Sequence, residues 1–308
     1  SEADFQTLPT FNLHNPYIIG GATNYLFVAS EIDQAISYDG SSISIISDTQ
    51  DHVIIRVEAG KNWHSFVMEM LNMQFYGLEN LVLIPGTVGA APVQNIGAYG
   101  REVSDFIIAV HGINIYTGEQ FQLSRTECLF SYRHSIFKTI EWKNMLITHV
   151  DFHLSKIDMP IAKYPDVEQY LTDHGIEQPN AQDIAYAIIE IRNRKLPNPD
   201  IVGNAGSFFK NPIISREQYI QLQHTFPDIP CYAISDLEVK IPAGWLIDKA
   251  GWKGFRHQGA SVHDKQALVL INADDALGKD IYALSMMIQN SVSEQYGISL
   301  EPEVNIIL

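Results

Sequence analysis

The order of its apolar segments constrains this chain more than any other feature. Short apolar runs and amphipathic helical stretches follow one another, but not as a repeating strand-helix-strand unit. Residues 53–57, 81–84 and 267–271 read as strands bounded by turn residues. Residues 106–116 and 121–123 read as a hairpin turning at Thr117-Gly118. Between these runs, Trp63, Phe66, Val67, Met70 and Leu71 recur at helical spacing behind an Asn62 N-cap, with Gly77 just past the end. Asn180 opens a helix with Ile184, Ile188 and Ile191 on one face. Its last turn carries Arg192, Arg194 and Lys195, which places cations at the negative end of the helix dipole. Ser215 with Gln218 forms a capping box, and Pro227 stands beyond that helix. Ile281, Leu284, Ile288 and Val292 mark a last helix stopped by Gly297. Regular alternation would give a doubly wound sheet; this mixture gives an α+β fold. The helix-breaking Lys195-Leu196-Pro197-Asn198-Pro199 is the expected domain boundary.

With 308 residues and 46% hydrophobic content, the chain can build about two domains with real cores. Twenty Lys+Arg against 36 Asp+Glu leave a formal charge of −16. That balance disfavours a nucleic-acid partner but not an anionic small molecule, for which a few local cations suffice. Cys128 and Cys231 form neither a disulfide framework nor a metal pair, which fits a reducing compartment. No apolar run approaches the ~18 residues of a membrane span. Ser1-Glu2-Ala3-Asp4 lacks the basic and apolar regions of a signal peptide. The expectation is a soluble cytoplasmic protein, monomeric by default, with no membrane partner.

His149, Asp151 and His153 alternate with apolar residues, so on a strand they share one face and could ligate zinc. The outward face of a half-buried strand is the plainer reading, and no metal site is expected there or at His257 and His263. Nucleophile-elbow, Walker and dinucleotide glycine signatures are missing from the sequence, which disfavours serine hydrolases, P-loop NTPases and Rossmann dehydrogenases. Three glycine-rich stretches remain: Gly20-Gly21-Ala22-Thr23-Asn24, the long stretch from Pro85 to Gly100, and the stretch from Gly203 to Pro212. Such density lets backbone N–H groups approach a diphosphate, although any one stretch alone reads as a tight turn.

These segments carry a resemblance. Ile84-Pro85-Gly86-Thr87-Val88-Gly89, Gln94-Asn95-Ile96-Gly97-Ala98-Tyr99-Gly100, Tyr132-Arg133-His134-Ser135-Ile136-Phe137, the 203–212 string and Leu300-Glu301-Pro302-Glu303-Val304 occur in one order. In them the chain resembles the UDP-N-acetylenolpyruvoylglucosamine reductases, in the longer of that family's two types. The resemblance implies a two-part FAD-binding region followed by a substrate-binding α+β domain. Residues 1–49 would be a first, incomplete FAD-binding subdomain to which 301–308 return, 50–198 a second FAD-binding domain, and 199–300 the substrate domain. It also implies non-covalent FAD, NADPH as co-substrate and a UDP-sugar substrate. Another FAD-dependent oxidoreductase of the same fold, or a flavin-free nucleotide-binding relative, are the alternatives.

Carried over position by position, the catalytic residues are Arg133, Ser207 and Glu303. An arginine suits a growing carboxylate-enolate charge, a serine hydroxyl can protonate a carbanionic carbon, and Glu303 helps if it is protonated and donates a hydrogen bond. The cofactor would lie against Gly20, Gly21, Ala22, Thr23, Asn24, Pro85, Gly86, Thr87, Gly89, Asn95, Gly97, Ala98 and Tyr99. Tyr164, Lys195, Asn211, Tyr232 and Gln266 would hold the nucleotide, with Tyr164 on a mobile polar loop. Three positions depart from the family pattern: Ala22, which must adopt a glycine-like conformation, His134 for a common aspartate, and Asn305 for an arginine.

Overall fold

The computed structural model describes residues 8–308, so Ser1-Glu2-Ala3-Asp4 lies outside the described residues. Contacts group the chain into two compact units. One holds the described residues up to Ala22 with Ile32–Arg192; the other holds Thr23–Glu31 with Asn193–Leu308. Residues 1–49 are therefore shared between the units, and the cut near 192 precedes the helix-breaking prolines by a few residues.

The first unit is built on an antiparallel sheet of five strands, in the order Ile43–Asp48, His52–Glu58, Met145–Ser155, Ile107–Asn114 and Gln120–Ser124. Alternation decides its faces. Val53, Ile55 and Val57 are buried while Ile54, Arg56 and Glu58 are only half-buried on the other side. Helix α1 (Trp63–Asn72) covers the apolar face with Trp63, Phe66, Val67, Met70 and Leu71. The Trp63, Phe66 and Phe152 rings stand 5.1–6.1 Å apart, and truncating such a buried ring typically costs ~3–5 kcal/mol. Asn62 caps α1 by accepting from the Ser65 N–H at 2.9 Å. The helix ends at Met73, so Gly77 lies in the following turn and does not terminate it. Two further helices follow, α2 (Pro165–Asp173) and α3 (Ala181–Lys195). Asn180 and Asp183 cap α3 reciprocally, each side chain accepting from the other's backbone N–H.

Two expectations fail in this unit. Residues 81–84 are not a strand: Glu79–Leu81 is a 3-10 turn and Leu83 is left-handed at φ 60°. The run is apolar because Leu81 and Val82 are buried and Ile84 packs against the same core, with the Leu81 carbonyl accepting from the Trp63 indole at 2.8 Å. The second, the outward face, fails only at Asp151, which shares a sheet face with His149 and His153 as expected but is only 5% exposed. Arg56, its cross-strand partner, donates to it from Nε and Nη2 at 2.7 and 2.8 Å, and His111 Nε2 lies 2.8 Å away. The face is mixed: Asp151 is held in a buried ion-pair network, while His149 is half-buried and His153 exposed, as on an outward face.

The second unit contains an antiparallel sheet ordered Asn204–Ser207, Val269–Asn272, Ala260–Val262 and Arg256–His257. A smaller antiparallel sheet is ordered Ile213–Ser215, Glu238–Lys240 and Tyr232–Ala233. Tyr25–Phe27 and Asn305–Ile307 form a parallel pair joining residues far apart in sequence. Helices α4 (Arg216–Thr225), α5 (Ala243–Lys249) and α6 (Gly278–Tyr296) complete the unit. Leu26, Phe208, Phe209, Leu246, Leu284 and Ile288 lie in its core. Gly278 begins α6 so close to the early strand that a Cβ there would sit 1.8 Å from the Phe27 carbonyl oxygen. The capping box at α4 is only half made. Ser215 Oγ accepts from the Gln218 N–H at 3.1 Å, but the Gln218 side chain donates instead to the Gly297 carbonyl. Gly297 is left-handed at φ 63° and ends α6. Among the described residues, no helix is long and apolar enough to cross a membrane.

Candidate active site

Within the first unit the first two glycine-rich loops meet. A Cβ on Gly20 would stand 2.8 Å from Thr87 Oγ1, so only glycine permits this approach. Ala22 adopts φ 53°, the glycine-like conformation anticipated for it, at a cost of ~1–2 kcal/mol. The second loop is anchored at both shoulders: Gly86 accepts from the Trp63 N–H, and Val88 and Gly89 donate to Lys61 and Ala59. Pro85 and Thr87 are thereby fixed between buried elements. Further on, Tyr99 is left-handed at φ 48° and its carbonyl accepts from Asn80 Nδ2.

Arg133 joins this arrangement through Nη2, which donates to the Gly97 carbonyl at 2.7 Å, and its guanidinium lies over the Tyr132 ring at 5.3 Å. Gly97 and Ala98 form a short ladder with Arg101 and Glu102. Tyr164 is the N-cap residue of α2, ahead of Pro165, and its ring packs edge-on to Tyr99 at 5.0 Å. Sequence reasoning treated Arg192 as a helix-end cation. Instead it is drawn inward against the Tyr99 hydroxyl, its Nε buried with no hydrogen-bond partner among the described residues, and burial lowers its pKa although Tyr99 opposes this. Burial likewise raises the Tyr99 pKa, against the pull of the guanidinium. Nothing in the local sequence separates Arg192 from exposed Arg194; only the helix phase relative to Ile188 and Ile191 could have done so.

Within the second unit, Ser207 and Glu303 come from adjoining segments. The Glu303 N–H donates to the Phe208 carbonyl at 2.8 Å, and Phe209 bridges to Pro302. A register shift separates Asn204, opposite Ile271, from Ser207, opposite Val269; Gly206 within it is left-handed at φ 72°, and Ser207 is exposed while Phe208 and Phe209 are buried. Asn24 Nδ2 donates to the Glu303 carbonyl at 3.1 Å, and Asn305 donates from both backbone and side chain to the Asn24 carbonyl. The asparagine at 305 thus ties the first loop's Thr23-Asn24 to the segment carrying Glu303.

Asn211 and Gln266 converge on the start of α5. Asn211 Oδ1 accepts from the Ala243 N–H at 2.9 Å, and a Cβ on Gly244 would stand 3.2 Å from Gln266 Oε1. Lys195 ends α3 half-buried. Tyr232 stands apart on the three-stranded sheet, opposite Lys240 and half exposed.

The loops fit a dinucleotide in their donor chemistry. The close approach of Gly20 to Thr87, the positive-φ backbone at Ala22, Gly86 and Tyr99, and the buried Arg192 Nε, which has no hydrogen-bond partner among the described residues, suit an anionic dinucleotide. The family model for an FAD binding domain matches residues 12–124. A second, for the UDP-N-acetylenolpyruvoylglucosamine reductase C-terminal domain, matches 197–307. The class is therefore an FAD-binding protein of α+β architecture.

A UDP-N-acetylenolpyruvoylglucosamine reductase of Pseudomonas fluorescens (strain Pf0-1) is 45% identical over 288 residues, covering 94% of this chain and 85% of the relative. That of Bacteroides fragilis (strain YCH46) is 45% identical over 295 residues, covering 95% and 88%. The crystal structure of the Thermus caldophilus UDP-N-acetylenolpyruvylglucosamine reductase superposes with a TM-score of 0.66 at 21% identity. It covers 99% of this chain and 90% of that one, a likeness of fold. This chain belongs to the UDP-N-acetylenolpyruvoylglucosamine reductase family.

Proposed function

We propose that the chain reduces UDP-N-acetylglucosamine enolpyruvate to UDP-N-acetylmuramate, a step of peptidoglycan synthesis, with FAD as cofactor and NADPH as reductant. The observation that carries this is the joint match of both family models with relatives 45% identical over 94% of the chain. FAD held by the glycine-rich loops would supply the redox chemistry that links NADPH oxidation to reduction of the enolpyruvyl double bond.

The chain's own residues do the rest. Residues 20–24, Pro85, Gly86, Thr87, Gly89 and 97–99 hold the cofactor, mostly through backbone. Arg133, oriented by the Gly97 carbonyl, stabilises the negative charge that spreads into the substrate carboxylate as the double bond is reduced. Glu303, as a protonated carboxyl, donates a hydrogen bond to that same group. Ser207 gives its hydroxyl proton to the neighbouring carbon, and its placement just after the register shift, opposite Val269, sets the face that is protonated. Lys195 pairs with the diphosphate, while Asn211 and Gln266, gathered at the start of α5, hold its oxygens or the sugar. Tyr164 and Tyr232 offer flat faces with a hydroxyl for the nucleotide. We place the protein in the cytoplasm, as a monomer without nucleic-acid partners.

An anaerobic spectrum tests the reading. The purified protein is yellow, bleaches with NADPH and regains colour with UDP-N-acetylglucosamine enolpyruvate. A protein that stays colourless after added FAD, or that reoxidises only with oxygen, overturns it.

A further inference from the structure

Asn95 is 0% exposed and left-handed at φ 42°, a conformation that asparagine tolerates better than most residues. Its amide is committed inside the protein. Oδ1 accepts from the Ser104 N–H at 3.1 Å, while Nδ2 donates to Glu102 Oε2 at 2.7 Å and to the Ser131 carbonyl at 3.1 Å. An amide nitrogen has two hydrogens. Both are used, and none is left for a cofactor.

Ser131 is the base of the turn that presents Arg133. Ser131 and His134 exchange backbone hydrogen bonds at 3.0 and 3.1 Å, with Tyr132 and Arg133 at the tip and Arg133 left-handed at φ 53°. Two further bonds tie this turn to the stretch containing Asn95. Arg133 Nη2 donates to the Gly97 carbonyl, and Ser135 Oγ donates to the Val93 carbonyl at 2.6 Å. Residues 93–97 therefore grip 131–135 at base, tip and exit.

We propose that Asn95 is a positioning residue for reduction of the enolpyruvyl group: through the Ser131 carbonyl it fixes the turn that aims the Arg133 guanidinium, and its side chain is not a cofactor ligand. This rests on the reading of Arg133 given above. Loosening the base of the turn releases a long side chain into several rotamers, and that entropy has to be recovered when charge grows on the substrate. Flavin reduction by NADPH makes no such demand on Arg133.

The test uses the holoenzyme with paired substitutions. Asn95→Asp alone sets a carboxylate against Glu102 and cannot donate to Ser131. Adding Glu102→Gln restores a bond between positions 95 and 102 and keeps the Ser104 bond, so the Ser131 carbonyl alone loses its donor and faces a carboxylate oxygen instead. The pair should keep its FAD dissociation constant and its anaerobic bleaching by NADPH within about twofold. Reoxidation by UDP-N-acetylglucosamine enolpyruvate should slow about tenfold, in rate rather than in KM, as for loss of one hydrogen bond. Amide exchange across 131–135 should accelerate, a change independent of turnover.

Weakened FAD binding, equal slowing of both half-reactions, or no slowing overturns the proposal. Should the pair not fold, Ser135→Ala asks the same question at the exit of the turn, where a selective slowing supports the proposal and a uniform or absent one overturns it. Arg133→Ala runs in parallel. If it leaves reoxidation intact, the reading of Arg133 falls and the proposal with it; if it abolishes reoxidation while the paired variant is unaffected, only the positioning role falls.

Discussion

Replacing Asp151 by Asn should destabilise the first unit in a strongly pH-dependent way. Burial opposes ionisation of this carboxyl, but the hydrogen bonds and charges of Arg56 and His111 outweigh it and lower the pKa from 3.8 to about 2. A carboxyl with a lowered folded-state pKa contributes stability that is fully present above its unfolded value and is lost as pH falls through its folded value. At about 1.4 kcal/mol per pH unit, ionisation of Asp151 therefore contributes about 2.5 kcal/mol near neutrality. Near pH 3 only about half of this remains, because the unfolded carboxyl is largely protonated there while the folded one is not. Urea unfolding of the wild type and Asp151→Asn, at neutral pH and near pH 3, measures the difference. The gap should shrink by about 1 kcal/mol on acidification. An equal gap at both pH values would refute the account of the Arg56–Asp151–His111 network.

Ser207→Ala should leave anaerobic bleaching by NADPH near its normal rate but slow reoxidation by UDP-N-acetylglucosamine enolpyruvate ~10²–10⁴-fold, as for a lost general acid; stopped-flow absorbance resolves the halves, and equal slowing would mean that the serine only shapes the pocket. Lys195→Ala should raise KM for the UDP-sugar roughly 10- to 150-fold with little change in kcat, the loss of one charged hydrogen bond in steady-state kinetics. Gly278→Ala should lower the thermal midpoint of the second unit at a cost of ~1–3 kcal/mol, because the added methyl collides with the Phe27 carbonyl oxygen. Acid precipitation should release FAD into the supernatant; colour retained in the pellet would indicate a covalent bond, for which the Cys128 thiol is ill suited, being fully buried and pushed up to about 12 by burial and by Glu127.

Local chemistry was the legible part of this fold. Asn62, Asn180, Ser215 and Gly297 mark helix ends because a cap acts within three or four residues, and the structure places a helix terminus at each. The hairpin at Thr117-Gly118 was equally plain, its strands being Ile107–Asn114 and Gln120–Ser124. What misled was apolarity without extension at 81–84, where burial and not sheet pairing selects the residues. Long-range features were beyond local reading. The inward turn of Arg192 and the three tethers on the Arg133 turn depend on partners 36 to 93 residues away. Glycine density brought the loops to attention and the resemblance gave them a cofactor, yet neither could tell that both hydrogens of the Asn95 amide are already donated.

The parallel pairing of Tyr25–Phe27 with Asn305–Ile307 bears on how this protein is made. A ribosome delivers residue 25 long before residue 305. The nascent segment must therefore wait with its edge unsatisfied while nearly the whole of the remaining chain emerges. Any chain released before residue 305 carries Leu26 without the strand beside which it is buried, an exposed template for wrong pairing. The second unit cannot mature by vectorial synthesis alone; it closes only after translation has passed Asn305–Ile307, so a chain terminated before that point is as damaged as one with a lesion in the interior.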